Sequence, residues 1–204
     1  AAINNNNRGV CSPSGGWNGG TDTEFGNGVK VMACRVGYSY DLGGEEYGFV
    51  RMDFCAEGFY YAANNGAHIV SCSWGSSNSG GLGTAVTTFI NGGGLVFSSA
   101  GNDNDQIASY LCSRPDVVSV AATDDDDCKA SFSTYGTWVD VSAPGVNILS
   151  LYHNHDNDTS DYVAYMNGTS MACPLAASVA ALIWSKNPTW TAGEVRNQLE
   201  STTD

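Results

Sequence analysis

Asn167-Gly168-Thr169-Ser170-Met171-Ala172 runs, past Cys173 and Pro174, into an apolar stretch rich in alanine: Ala176, Ala177, Val179, Ala180, Ala181, Leu182, Ile183 and Trp184. The stretch ends near Lys186-Asn187-Pro188 and has the pattern of a buried helix. Ser170 then sits at or just before the helix N-terminus. The unpaired N–H groups and the positive end of the helix dipole there favour negative charge. A serine oxygen, and the oxyanion it creates on attacking a carbonyl, would both be stabilised. Pro174 fits the first turn, where its missing N–H costs little. Taken alone, the stretch reads more simply as a capped helix start, with Ser170 or Thr169 as the N-cap.

Working outward, the chain alternates short apolar runs with helical spacing. Strands are expected at residues 29–36, 67–73, 94–100 and 117–122, and shorter ones at 138–141, 147–150 and 162–166. Residues 45–65 carry apolar side chains at 49, 52, 56, 59, 60 and 63, the spacing of a helix, closed by Gly66. A second, weaker helix is expected at 82–91. A last one starts near Thr191, with Glu194 three residues on as in a capping box. The strands are apolar throughout rather than at alternate positions. This is the mark of an α/β protein whose parallel sheet is covered on both faces. Ligands bind such sheets beyond the carboxyl ends of the strands. Ser73-Trp74-Gly75 and Gly101-Asn102 both fall there, so they and Ser170 can share one edge.

Composition narrows the function. The 204 residues carry 21 acidic and 8 basic side chains, a formal charge of −13. That excludes nucleic acid as a partner, since phosphate binding needs clustered Lys and Arg. No apolar run is long enough to cross a membrane. Only 14% of residues are charged and 25 are glycine, which fits a loop-rich secreted, extracellular protein. The seven cysteines form no C-x-x-C pair, so a structural zinc site is not expected. Cys34, Cys55 and Cys72 lie in apolar runs and read as small core residues; Cys11, Cys112 and Cys128 lie in polar loops and are the better disulfide candidates. No Gly-x-Gly-x-x-Gly segment follows a strand and no P-loop is present, which argues against a nucleotide-binding domain.

Gly168-Thr169-Ser170-Met171-Ala172-Cys173-Pro174 resembles the nucleophile motif of the subtilisin-like serine proteases, the subtilases. Ala100-Gly101-Asn102-Asp103 resembles the segment that supplies the family's oxyanion-hole Asn; without that company Asn102 would be a turn residue after Gly101. Ser73-Trp74-Gly75 resembles the strand that pairs with the substrate backbone, although Trp74 reads equally as core. Ser99-Ala100-Gly101 would form the opposite wall of a roomy, mostly apolar primary pocket. Phe132-Ser133-Thr134-Tyr135-Gly136 and Asp140-Val141-Ser142-Ala143-Pro144-Gly145 match structural landmarks of the family.

The resemblance implies a three-layer fold, a central, mostly parallel sheet flanked by helices, short of strands on its N-terminal side. It implies one partial peptidase domain over residues 1–204, with 1–28 an Asn- and Gly-rich loop and 29–204 the sheet-and-helix core. The implied activity is that of a monomeric serine endopeptidase acting on proteins or peptides through an acyl-enzyme on Ser170. Ala1-Ala2-Ile3-Asn4-Asn5-Asn6 resembles the stretch just after the family's catalytic His motif, so the Asp and His motifs are expected outside this chain. Catalysis needs no cofactor. A structural calcium is implied on the first loop through Ile3, Asn5 and Val10, although the upstream carboxylate of that site is not in the chain. Asp124-Asp125-Asp126-Asp127 lacks the spacing of an EF-hand and reads as a solvated loop.

Histidine restricts the alternatives. None follows Ser170, which excludes the Ser-Asp-His order of an α/β-hydrolase. His68 opens a strand and reads as structural, and His153 and His155 lie in a polar loop. Leu175 stands where the family has a non-catalytic His. The competing reading is a catalytically dead subtilase-like protein that only binds peptides.

Overall fold

A computed structural model describes residues 10–15, 28–152 and 162–203. Strands β3 (Ile69–Cys72), β4 (Leu95–Ser99), β5 (Val118–Thr123) and β6 (Val141–Pro144) form a four-stranded sheet in that order, every pair parallel. Alternate residues of the central strand β4 face opposite ways. Leu95 and Phe97 pack under α3 (Thr169–Lys186) and α4 (Ala192–Ser201), while Val96 packs under α1 (Met52–Asn64) and α2 (Gly83–Asn91). The result is the expected three layers, helices on both faces of a parallel sheet. Two further pairs are antiparallel hairpins: β1 (Gly37–Leu42) with β2 (Glu45–Val50), and β7 (Ile148–Leu151) with β8 (Val163–Met166).

The alanines of α3 set its distance from the sheet. Ala172, Ala176, Ala177 and Ala180 are all buried, and their single methyl groups let the helix backbone settle close to β5 and β6. On the other face Phe59 of α1 and Phe89 of α2 meet edge to face at 6.0 Å. Each such fully buried aromatic contributes about 1.5–3 kcal/mol.

Four expectations are corrected. Residues 28–36 form no strand; they lie exposed, held by Val29 N–H donating to Ser14 O and Arg51 N–H donating to Val36 O. A strand needs a ladder partner, and β3, at the margin of the four-stranded sheet, pairs only with β4 among the described residues. The first helix begins at Met52 rather than near 45, because residues 45–50 pair with 37–42 across Gly43-Gly44. Both glycines have positive φ, 72° and 94°, as a two-residue hairpin turn requires. The strand expected at 138–141 starts at Val141 instead. Finally, Pro174 lies beyond the first turn of α3, at its sixth residue.

The cysteines also sort differently from expectation. Cys34 is exposed and Cys112 buried, and all seven thiols are free. Cys55 and Cys72 are core residues, as their apolar neighbours suggested.

The capping box on α4 is present. Thr191 Oγ1 accepts from Glu194 N–H at 3.3 Å, and Glu194 Oε2 accepts from Thr191 N–H at 2.7 Å. The bond from the Thr191 backbone holds the Glu194 carboxyl below its ordinary range. Its stabilisation is therefore complete above the ordinary Glu value of about 4.3 and is lost as pH falls through the lowered one. Amide-exchange protection in the first turn of α4 should fall over that acid window, and Glu194→Gln should remove this pH dependence.

Candidate active site

The site is built around the first residues of α3. Gly168 is its N-cap, buried, with φ 153°, a conformation a side chain would strain. A Cβ there would also stand 3.6 Å from Asn102 Nδ2. Neither Thr169 nor Ser170 is the N-cap, contrary to the simpler sequence reading. The missing cap comes from the loop after β4: Asn102 Oδ1 accepts from Thr169 N–H at 2.9 Å and from Thr169 Oγ1 at 3.1 Å. The Thr169 hydroxyl in turn accepts from Gly101 N–H at 3.1 Å. A backbone N–H can only donate, so the atom it meets must be the amide oxygen. The amide's NH₂ end is thereby left beside Gly168 as a donor. The loop itself is held by Thr134, whose N–H donates to Gly101 O at 3.0 Å and whose hydroxyl accepts from Asp103 N–H at 3.3 Å.

Ser170 is the second residue of α3, half-buried, and its N–H has no acceptor within the helix. Pro174 is four residues on and has no N–H to give to Ser170 O. Ser73 fills that gap: its hydroxyl donates to Ser170 O at 2.7 Å. Ser170 Oγ lies 3.4 Å from Ser73 O and donates to it. The end of β3 and the start of α3 are therefore tied by two reciprocal bonds.

The expected groove residues occupy the carboxyl edge of the sheet. β3 and β4 pair Cys72 with Ser98, and one more step of that register sets Ser73 beside Ser99. Ser99 and Ala100 are buried, Gly101 is half-buried, and Ser73 and Gly75 are exposed. Trp74 is half-buried and packs on the core beneath α1 and α2, so it is wall and core at once. Two neighbours went unrecognised in the sequence. Thr169 hid inside the nucleophile motif. Ser109, against which a Cβ at Gly75 would sit at 3.4 Å, lies in a loop without periodicity.

The thiols below do not compete with the hydroxyl. Cys173 is fully buried with Sγ 3.4 Å from Ser71 Oγ, and burial pushes it up to about 12. Burial likewise raises Cys72 well above the ordinary thiol range. Neither forms an appreciable thiolate near neutrality.

Among the described residues no histidine reaches Ser170. His68 opens the run into β3 and meets Trp184 edge-on at 5.3 Å, a packing role. His153 and His155 lie outside the described residues, as do Ile3 and Asn5 of the calcium candidates; Val10 is described and half-buried. No group of three or more His, Cys, Asp or Glu side chains is placed to hold a metal among the described residues. In the acidic run, Asp124 Oδ1 accepts from the N–H groups of Asp126 and Cys128, a turn closed on itself.

A parallel sheet between helical layers, with a serine at a helix start and a locked carboxamide beside it, is the layout of an α/β serine hydrolase. The comparisons narrow this: the chain belongs to the subtilase family, which it matches over residues 15–204. It is 43% identical over 148 residues to M-protease of Shouchella clausii, covering 72% of this chain and 37% of that protein. It is 42% identical over 148 residues to subtilisin BL of Lederbergia lenta, covering 72% of this chain and 53% of that protein. A solved protease structure from Pseudoalteromonas arctica superposes with a TM-score of 0.68 at 34% identity, over 75% of this chain and 52% of that one. The chain thus spans about half the length, or less, of the curated relatives it matches.

Removing the Ser73 hydroxyl leaves Ser170 O without its donor. Ser73→Ala should lower stability by about 1 kcal/mol, a value near the net worth of one hydrogen bond, read from urea unfolding midpoints.

Proposed function

We propose that this chain carries the nucleophile, the oxyanion donors and the peptide-binding edge of a secreted serine endopeptidase. The observation that carries the reading is the locked Asn102: its oxygen is held by Thr169, and its NH₂ end stands at the start of the helix that bears Ser170. Nothing in helix capping requires a carboxamide brought from a loop 67 residues away. A preset donor is what an oxyanion needs.

In this reading a protein or peptide substrate lies as an added strand along Ser73-Trp74-Gly75, with one side chain between that segment and Ser99-Ala100-Gly101. Ser170 Oγ leaves its bond to Ser73 O and attacks the carbonyl carbon while a base takes its proton. Asn102 Nδ2 and Ser170 N–H receive the oxyanion. The C–N bond breaks, the amine leaves with the proton, and water hydrolyses the acyl-enzyme by the same steps in reverse. The base is a His oriented by an Asp, in family motifs that these 204 residues do not contain. Family membership supports a serine-type peptidase.

The second reading, a peptide-binding protein without activity, draws on the bond from Ser170 Oγ to Ser73 O, which a structural serine could make as well. A fluorophosphonate probe separates the two. The whole protein should label at Ser170, and the 204-residue chain should label slower by roughly 10⁴-fold or more, because the base is lost. Asn102→Ala in the active protein should lower kcat by about 100-fold or more with little change in KM. A whole protein inert to the probe sinks the enzymatic reading.

A further inference from the structure

The hairpin of β1 and β2 stands beside the proposed groove. Between them is an open cleft of about 510 Å³, lined by Arg35, Tyr38, Gly48, Phe49, Ser73 and Trp74. It is therefore continuous with the edge on which the substrate is placed.

The charge in this cleft is opposite in sign to the net charge of the chain. Acidic residues outnumber basic ones 21 to 8, and three of the arginines find carboxylates. Arg51 pairs with Asp53, Arg114 with Asp116, and Arg196 with both Asp140 and Glu200. Lys129 spends its ammonium on Asn104 Oδ1 and the carbonyls of Ala130 and Ser133. Arg35 is different. Its Nε donates to Gly37 O at 3.4 Å, and no carboxylate lies within ion-pair distance of it among the described residues. That bond aligns one edge of the guanidinium along the backbone and leaves its two NH₂ groups for a ligand. Tyr38, Phe49 and Trp74 supply apolar walls beside it, and since Tyr38 and Phe49 are themselves exposed, a charge pair formed there stays close to solvent.

We propose that Arg35 makes this cleft a subsite for an acidic side chain, so that the protein prefers peptides carrying Asp or Glu at one position near the bond to be cut. The inference rests on the peptide groove proposed above. It goes further in naming a specificity-determining residue and the charge it selects. A guanidinium suits the planar carboxylate because its paired donors match the two oxygens. A nucleic-acid phosphate is a poor rival on a chain of charge −13.

The test uses the whole protein in its Ser170→Ala form, so that no peptide is cleaved. Fluorescein-labelled alanine-rich octapeptides, with a single Asp or Asn moved through each position, are titrated by anisotropy. One position should bind roughly fivefold tighter with Asp than with Asn at low salt, the scale of an exposed ion pair. The preference should shrink as salt rises. Arg35→Met should bring the Asp peptides down to the level of the Asn peptides while the Asn peptides still bind, which also reports that the variant is folded. Binding without any Asp preference, or a preference that survives Arg35→Met, overturns this proposal and leaves the groove standing. Failure of every peptide to bind, the Asn series included, overturns the groove itself.

Discussion

A helix that starts with a serine at its second position and a proline at its sixth has a bonding problem at both places. The first N–H groups have no intrahelical acceptors, and the proline deprives Ser170 O of its donor. Both gaps are filled from the carboxyl edge of the sheet. Asn102, after β4, accepts from Thr169 N–H, and Ser73, after β3, donates to Ser170 O. The loops after β3 and β4 thus supply bonds that α3 cannot make for itself. The same bonds set the distances between hydroxyl, carboxamide and groove.

The remaining architecture serves to hold this junction still. Alanines bring α3 down on β5 and β6, glycine at 168 lets the chain turn into the helix, and Thr134 pins the Asn102 loop from behind. On the opposite face α1 and α2 cover β3 and β4 through Phe59, Phe89 and Val96. Arg196 closes the outer corner, pairing with Asp140 and donating to Pro115 O, so that α4 is fastened to the entrances of β5 and β6.

What the sequence disclosed follows from periodicity and local chemistry. The strands at 95–99 and 118–123 were legible because they are buried on both faces and hence largely apolar, and 69–72, only partly buried, was legible from Ile69 and Val70. Likewise α4 was legible from Thr191 and Glu194. Ser73, Asn102 and Ser170 could be placed on one edge from strand order alone. The hairpin at 37–50 was missed because Phe49 falls on the apolar spacing of the helix that follows; the Gly43-Gly44 pair was the available sign. Residues 29–36 have strand composition without a strand's environment, and a ladder partner is a tertiary fact. Thr169 was read as a helix start because its real partners, Gly101 and Asn102, are about 68 residues away in sequence.

The triangle of Gly101, Asn102 and Thr169 also bears on how this protein tolerates change. Three hydrogen bonds share one hydroxyl and one carboxamide oxygen, so losing either group disturbs all three residues. Substitutions here are not independent events; a second change in the triangle finds much of the damage already done. Drift at these positions is therefore trapped: an intermediate that alters one corner bears nearly the full cost, and only a concerted replacement could reach another arrangement.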